Sequence, residues 1–284
     1  MDEIIVNPTD LNLSSVRAPT VKGSRVYILT WCKDINQLYG SLLTFKTIRT
    51  GFPNSEIVVF DNCSIPAAQD EIKKAADAVG AVFHQLEHEV KHHDFIRWAI
   101  FQDHVDKQLV FADGDLIFWD DMENTVVDGL MAGRLIPLFG DKFSNTKTMP
   151  RLHTSLVMIP DPGALAQRLH ALESEYFEAD LIRPTMLRLE GEWLRWDTLG
   201  TLYGAITEQC TAFDEALLNR YDHIFCGSHL NKILSKYQVP RLAEAHHQAM
   251  QDYTQLKGIW HLQEQYFKSH MPPTAESKRG NQFC

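Results

Sequence analysis

The spacing of apolar runs constrains this chain more than any single motif. Arg25-Val26-Tyr27-Ile28-Leu29-Thr30 has the β-branched and aromatic content of a strand. Asp34 to Thr50 then repeats apolar residues at Leu38, Leu42, Leu43, Phe45 and Ile48, as a helix with one buried face requires. The turn residues Gly51-Phe52-Pro53-Asn54 lead to a second strand, Glu56–Phe60, which completes a βαβ unit. Asp61-Asn62 closes that strand. After Pro66, Ala67–Val79 reads as an amphipathic helix stopped by Gly80, Ala81-Val82-Phe83 as a third strand, and the region around Asp94–Asp106 as a helix feeding a strand at Leu109–Ala112. Alternation of this kind predicts an α/β fold with a mixed, mostly parallel sheet flanked by helices. Ligands of such sheets sit at the carboxyl ends of the strands, where Asp61 and Asp113 fall.

Beyond this half the pattern loosens. Leu152–Ile159 reads as a strand, Asp161-Pro162-Gly163 opens a helix to about Phe177, and Thr211–Tyr221 and Leu230–Tyr237 read as shorter helical pieces. The expected organisation is an N-terminal arm over residues 1–24, one catalytic domain over 25–270 divided near 120, and a tail over 271–284.

Composition excludes several classes. A formal net charge of −10 argues against a polyanion as the main partner, because nucleic-acid affinity comes largely from clustered Lys and Arg. The five cysteines (Cys32, Cys63, Cys210, Cys226 and Cys284) are widely spaced and form no C-x-x-C, so neither a disulfide framework nor a zinc ribbon is indicated. With no apolar run long enough to span a bilayer, the expectation is a soluble protein in a reducing, cytoplasmic compartment.

The apolar run Leu109–Trp119 is interrupted by Asp113-Gly114-Asp115. Carboxylates flanked by strand residues are costly unless something neutralises them. Two Asp residues separated by one glycine at a strand end can converge on one divalent cation, and hard oxygen ligands suit Mg²⁺ or Mn²⁺. A polar turn between two strands is the structural alternative.

The stretch Val26–Asp61, followed by Phe111-Ala112-Asp113-Gly114-Asp115-Leu116-Ile117-Phe118-Trp119, resembles the nucleotide-sugar-binding half of GT-A-fold glycosyltransferases of the D-x-D type. The likeness covers Arg25 to Trp119 and continues more faintly beyond. It implies a Rossmann-like catalytic domain that transfers a sugar from a nucleotide-sugar donor, a UDP-sugar being favoured, with Mn²⁺ or Mg²⁺ as cofactor. The acceptor is left open among glycan, protein, small molecule and modified nucleic acid. By position the resemblance implies nucleoside contacts from Thr30 and Asp61, metal–diphosphate contacts from Asp113 and Asp115, and a phosphate-side cation at Arg97. Arg151 to Met158 looks like the acceptor-side strand, although His153-Thr154-Ser155 replaces the more usual Asn-Ser/Ala-Gly type. Phe213-Asp214-Glu215-Ala216-Leu217-Leu218-Asn219 is similar to a D-Q-D/E-x-L-N segment of glycogenin-like enzymes, which implies that Asp214 and Glu215 lie near the sugar. Acidic residues at a helix start also serve as caps. Lys257-Gly258-Ile259-Trp260-His261 resembles the C-terminal segment that supplies a third metal ligand, so His261 is the expected ligand, with Lys257 as a phosphate contact and His246 and His247 as competitors.

Glu190 to Thr198 is dense in Trp and carboxylates, which suit sugar stacking and hydroxyl binding, and Asp197 is the candidate there for acceptor binding or base catalysis. A partly buried lid or helix edge is the structural alternative. His88-Glu89-Val90-Lys91-His92 matches the zinc-peptidase pattern H-E-x-x-H, which needs a helix; the flanking residues predict a solvated connection instead. A haloacid-dehalogenase-type phosphatase fits poorly, because Asp113 follows at least three strands. Two other readings remain: a catalytically silent nucleotide-binding module, and a nucleotidyltransferase. The latter usually has a Gly-rich basic loop that Thr30-Trp31-Cys32-Lys33-Asp34 does not match.

Overall fold

The computed structural model describes residues 24–33, 35–102, 107–140, 146–175, 180–224 and 253–258. Its centre is a seven-stranded sheet built from β1 (Arg25–Thr30), β2 (Glu56–Asp61), β3 (Val82–Gln85), β4 (Leu109–Asp113), β6 (Met131–Ile136), β9 (Arg151–Ile159) and β12 (Cys210–Ala212). The order across the sheet is β12-β6-β9-β4-β1-β2-β3. β1 runs parallel to β2 and β4, β2 to β3, and β12 to β6, while β9 is antiparallel to both its neighbours. The α/β reading of the chain is therefore confirmed.

The sheet is covered on both faces, which is why β2 is buried along its whole length and lacks polar alternation. On one face Val26, Ile28, Ile57 and Val59 pack in a core with Phe45 and Ile48 of α1 (Ile35–Gly51) and Ile72 of α2 (Pro66–Ala78). On the other, Tyr27 and Phe60 meet Phe95 and Trp98 of α3 (His92–Ile100), with Leu165 and Leu169 of α4 (Pro162–Glu175) in the same core. Tyr27 and Phe60 meet edge to face, with ring centroids 5.2 Å apart. Glu56 is the buried exception at the amino end of β2. Arg25 Nε and Lys107 Nζ lie 2.8 and 3.0 Å from its Oε2 and neutralise it.

A two-stranded ribbon, β5 (Leu116–Phe118) with β13 (Tyr221–His223), lies against α1. Thr44 and Thr47 of that helix accept the N–H groups of Leu116 and Phe118 through their hydroxyls, at 2.9 and 3.1 Å. An interior helix thus satisfies one side of a very short strand and fixes the segment that follows Asp115.

The second half departs from expectation in two places. Thr211–Tyr221 is not one helix: it is the end of β12, the single turn α6 (Glu215–Leu218) and the start of β13. Three-residue strands carry almost no periodicity, and their pairing with distant β6 and β5 overrides local propensity. Glu190–Thr198 is neither lid nor helix edge. β10 (Thr185–Leu189) and β11 (Glu192–Trp196) form a hairpin that joins β7 (Phe139–Gly140) and β8 (Thr146–Thr148) in a small sheet ordered β10-β11-β8-β7. The two loop residues Glu190 and Gly191 have φ of 49° and 87°, the left-handed pair of a type I′ turn. Between Phe83 and His92 there is no helix, as anticipated for the H-E-x-x-H stretch. Leu230–Tyr237 and both termini lie outside the described residues, and α5 (Gly200–Ile206) completes the helices beside β9. Among the described residues no helix is long and apolar enough to cross a membrane.

Candidate metal and nucleotide site

The register of the parallel strands decides what gathers at their carboxyl edge. Leu29 pairs with Asp113 and Thr30 with Asp61, so the three strand ends are level. Alternation along each strand then sends Thr30 and Asp61 toward the α1 face and Asp113 toward the α3 face. Asp61 is fully buried: its Oδ1 accepts the Thr30 hydroxyl at 3.1 Å and its Oδ2 the Ser64 N–H at 3.2 Å. Asp113 and Asp115 are different, with side chains 27% and 16% exposed.

Gly114 between them lies close to α1 and β1. A Cβ there would lie 3.2 Å from Ser41 Oγ and 3.2 Å from Thr30 Cγ2, tighter than most side-chain contacts. Ser41, Thr44 and Thr47 therefore form one stripe on α1 that receives Gly114, Leu116 and Phe118 in turn. Because Leu116 pairs with His223 in the ribbon, His223 arrives beside the acidic pair. Its Nε2 is 2.9 Å from Asp115 Oδ1, and ligand atoms of Asp113, Asp115 and His223 all lie within 4.8 Å of one another. Burial alone would lower the His223 imidazole, but Asp115, and to a lesser degree Asp113, raise it above its usual value. Burial also raises the Asp113 carboxyl, opposed by His92 and reinforced by Asp115. Two carboxylate oxygens and one imidazole nitrogen at these separations fit a divalent cation, which would relieve the mutual repulsion of the acids. A mixed oxygen and nitrogen set suits Mn²⁺ better than Mg²⁺.

A cavity of about 150 Å³ opens beside the pair, lined by Leu29, Trp31, Gln37, Ser41, Asp113, Gly114 and Asp115. The Trp31 Nε1 is buried with no hydrogen-bond partner among the described residues.

The remaining expected residues are dispersed. Arg97 makes two bonds to Glu173 on α4, at 2.6 and 2.7 Å, and a longer approach to Asp180. This bidentate pair ties α3 to α4 and occupies the guanidinium. Asp197 lies at the end of β11, 3.0 Å from Arg151 Nη2 and 3.6 Å from Arg195 Nη2. Asp214 is exposed and caps α6 by accepting the Leu217 N–H at 2.8 Å, and Glu215 is exposed in the same turn. The Lys257 Nζ lies 5.9 Å over the Trp119 ring, and the neighbouring Gly258 N–H donates to Asp222. His261, with His246 and His247, lies outside the described residues.

Three histidines at the site were not anticipated there. His223 lies in the short run Tyr221–Ile224, which is buried throughout, and no local pattern in the sequence singles it out. His92, the second histidine of the H-E-x-x-H stretch, begins α3 and holds its Nε2 3.5 Å from Asp113 Oδ1. His153 lies with its ring centroid 5.3 Å from that of His223, and its Nδ1 is 2.8 Å from Ser155 Oγ. Burial, with the charges of His223 and Arg151 beside it, pushes the His153 imidazole well below its usual value, so it is neutral.

No family model and no curated protein matches this chain. Among solved structures it is similar to the apo form of the bifunctional glycosyltransferase WbbM, at 12% identity and a TM-score of 0.46, over 69% of this chain and 40% of that one. It is also similar to the galactosyltransferase LgtC solved with donor and acceptor sugar analogues, at 8% identity and a TM-score of 0.40, over 67% of this chain and 73% of that one. WbbM and LgtC are glycosyltransferases of the GT-A type. A 4-diphosphocytidyl-2C-methyl-D-erythritol synthase from Anaerococcus prevotii is similar as well, at 8% identity and a TM-score of 0.38, over 67% of this chain and 86% of that one. The chain spans less than half the length of WbbM.

Proposed function

We propose that this chain is a metal-dependent glycosyltransferase that uses a nucleotide-activated sugar, with a UDP-sugar as the favoured donor. One observation carries the reading: Asp113, Asp115 and His223 bring three ligand atoms within 4.8 Å of one another at the carboxyl edge of a parallel sheet, beside a cavity. Asp113, Asp115 and His223 would hold Mn²⁺, which supplies positive charge to the diphosphate leaving group. The protein's own part is positional. Thr44 and Thr47 hold the strand that follows the acidic turn, Gly114 lets the turn approach Ser41 and Thr30, and Trp31 lines the cavity where a nucleoside would lie. His92 keeps Asp113 oriented from the other face. Asp197, held by Arg151 and Arg195, would orient an acceptor hydroxyl. Asp214 and Glu215, exposed on α6, would contact the sugar.

The test is thermal stabilisation by UDP, GDP, CMP and dTDP, each with Mn²⁺, Mg²⁺ or EDTA, on the wild type and on Asp115→Asn and His223→Ala. A ligand that binds only the folded chain raises its melting temperature. A shift with one nucleotide that needs metal and is lost in both variants is expected. No shift with any nucleotide would overturn the assignment.

A nucleotidyltransferase is the second reading, favoured by nothing more than the shared arrangement of sheet and metal carboxylates. The products separate the two, since a glycosyltransferase releases a nucleoside diphosphate from its donor and a nucleotidyltransferase releases pyrophosphate from a triphosphate. Binding without either product would identify a silent module.

A further inference from the structure

We propose that β10 is an interface between two copies of this chain, which pair edge to edge about a two-fold axis at Leu187 and join their small sheets into one. The inference is independent of the transferase reading, because no residue of the metal site takes part in it.

Among the described residues the seven- and four-stranded sheets end in β12, β3, β10 and β7. β12, β3 and β7 have three, four and two residues, and edges so short are poor templates for another strand. β10 has five, all exposed, and the exposure runs unbroken from Arg183 to Gly191. Long edges are normally guarded by proline, lysine or a bulge. Thr185-Met186-Leu187-Arg188-Leu189 has none of these, and it pairs with β11 in continuous register from Thr185 with Trp196 to Leu189 with Glu192. Its one charge, on Arg188, is drawn over the Trp193 ring at 5.7 Å from the centroid. Met186, Leu187 and Leu189 are each 54% exposed and Trp193 is 40% exposed. Alternation places Met186 with Trp193 on one face and the leucines on the other, so both faces of this edge present apolar surface to water.

The order of the residues selects a second copy as the occupant. Two antiparallel copies of one strand can close about a two-fold axis at any residue, and the choice decides which side chains stand opposite each other. An axis at Arg188 would oppose two guanidinium groups, and an axis at Thr185, Met186 or Leu189 would leave part of the strand unpaired. An axis at Leu187 pairs all five residues. It sets Leu187 against Leu187, Met186 against Arg188 and Thr185 against Leu189 of the second copy. Leu194 is the β11 partner of Leu187, so four leucines then stand in line across the joined strands. On the other face Arg188 lies between Trp193 of its own hairpin and Met186 of the second copy, with no like charge opposite it. The same register carries the exposed Arg183 to the level of Gly191 of the second copy, next to the exposed Glu190, at both ends of the interface. An unrelated peptide would meet the backbone edge but not this palindrome of side chains. Each edge is used up by the other, so assembly stops at two. With one strand from each copy the contact is smaller than a permanent dimer's, which sets association in the micromolar range.

The experiment is sedimentation velocity of the full chain from about 1 to about 100 µM, without metal or nucleotide, for wild type, Leu187→Lys and Val126→Lys. Val126, between β5 and β6, is 89% exposed and controls for the loss of any exposed apolar side chain. Wild type should pass from monomer to dimer over this range. Leu187→Lys, which opposes two ammonium groups, should weaken association at least about tenfold, and Val126→Lys should leave it unchanged. Leu187 lies outside the core of a single copy, so a melting curve at about 1 µM should show Leu187→Lys within about 3 °C of wild type. Amide hydrogen exchange of wild type at the two ends of the range reads the interface with no substitution, and slowing at the higher concentration should be greatest in β10. A chain that is monomeric at the higher concentration, a dimer that survives Leu187→Lys or is lost in Val126→Lys, assemblies larger than two, or slowed exchange that omits β10 would each overturn the proposal.

Discussion

Two acidic strand ends stand level at the same edge of the sheet, and the chain treats them in opposite ways. Asp61 is wholly enclosed and takes its hydrogen bonds from the Thr30 hydroxyl and the Ser64 N–H, donors that lie in the chain itself. Asp113 and Asp115 remain partly open and close to each other, with His92 Nε2 3.5 Å from Asp113 and His223 Nε2 2.9 Å from Asp115. The difference teaches how to tell a structural carboxylate from a binding one. Burial with neutral donors suits a carboxylate that holds the fold together, while convergence of like charges beside a cavity marks a candidate site.

The largest effect expected from that contrast is on function. Asp115→Asn should lower turnover about 100-fold or more, about 3 kcal/mol of transition-state stabilisation, while its melting temperature stays within about 3 °C of wild type. Steady-state kinetics beside a melting curve checks both halves, and turnover near wild type would break the contrast. Asp61→Ala should do the reverse and destabilise the fold by about 2–3 kcal/mol, because the Ser64 N–H and Thr30 hydroxyl lose a buried acceptor. Urea unfolding measures this. A variant that is stable but blind to nucleotide would move Asp61 into the binding class. Arg97→Met sharpens the comparison at a third place. Its bidentate pair with Glu173 is partly exposed, so about 2 kcal/mol of stability is expected to be lost, with metal-dependent nucleotide binding kept. Loss of that binding at unchanged stability would restore Arg97 to the phosphate role. The smallest effect is expected on the apolar face of the hairpin, where Leu187 is 54% exposed. Leu187→Thr should change unfolding free energy by no more than about 0.5 kcal/mol.

The parallel half of the fold was legible because its signals are local in the chain. A strand such as Glu56–Asp61 or a helix such as Ile35–Gly51 is long enough to show its period, and Asp113-Gly114-Asp115 interrupts an apolar run in plain view. Its α1 hydroxyls were less so: Ser41, Thr44 and Thr47 look like ordinary helix positions until the strand they serve is in place. The second half hid for a related reason. β5, β12 and β13 are each three residues long, too short for periodicity, and each exists only because a distant strand or helix satisfies its backbone. The hairpin did carry a readable turn, Glu190-Gly191 between alternating residues, but its tryptophans and carboxylates drew the reading toward sugar binding, with a lid or helix edge as the alternative.

The sequence by itself determined the α/β class and the presence of an acidic pair at a strand end, since strand and helix periods and a glycine between two aspartates are properties of neighbouring residues. Only the tertiary structure decided which histidine joins that pair. Ribbon pairing sets Leu116 opposite His223, and no local pattern records a contact between residues so far apart in the chain. The same long-range packing enclosed Asp61, turned Arg97 to Glu173 and drew Arg151 and Arg195 onto Asp197. A side chain's charge is written in the sequence, but its partner is set by the pairing of distant segments.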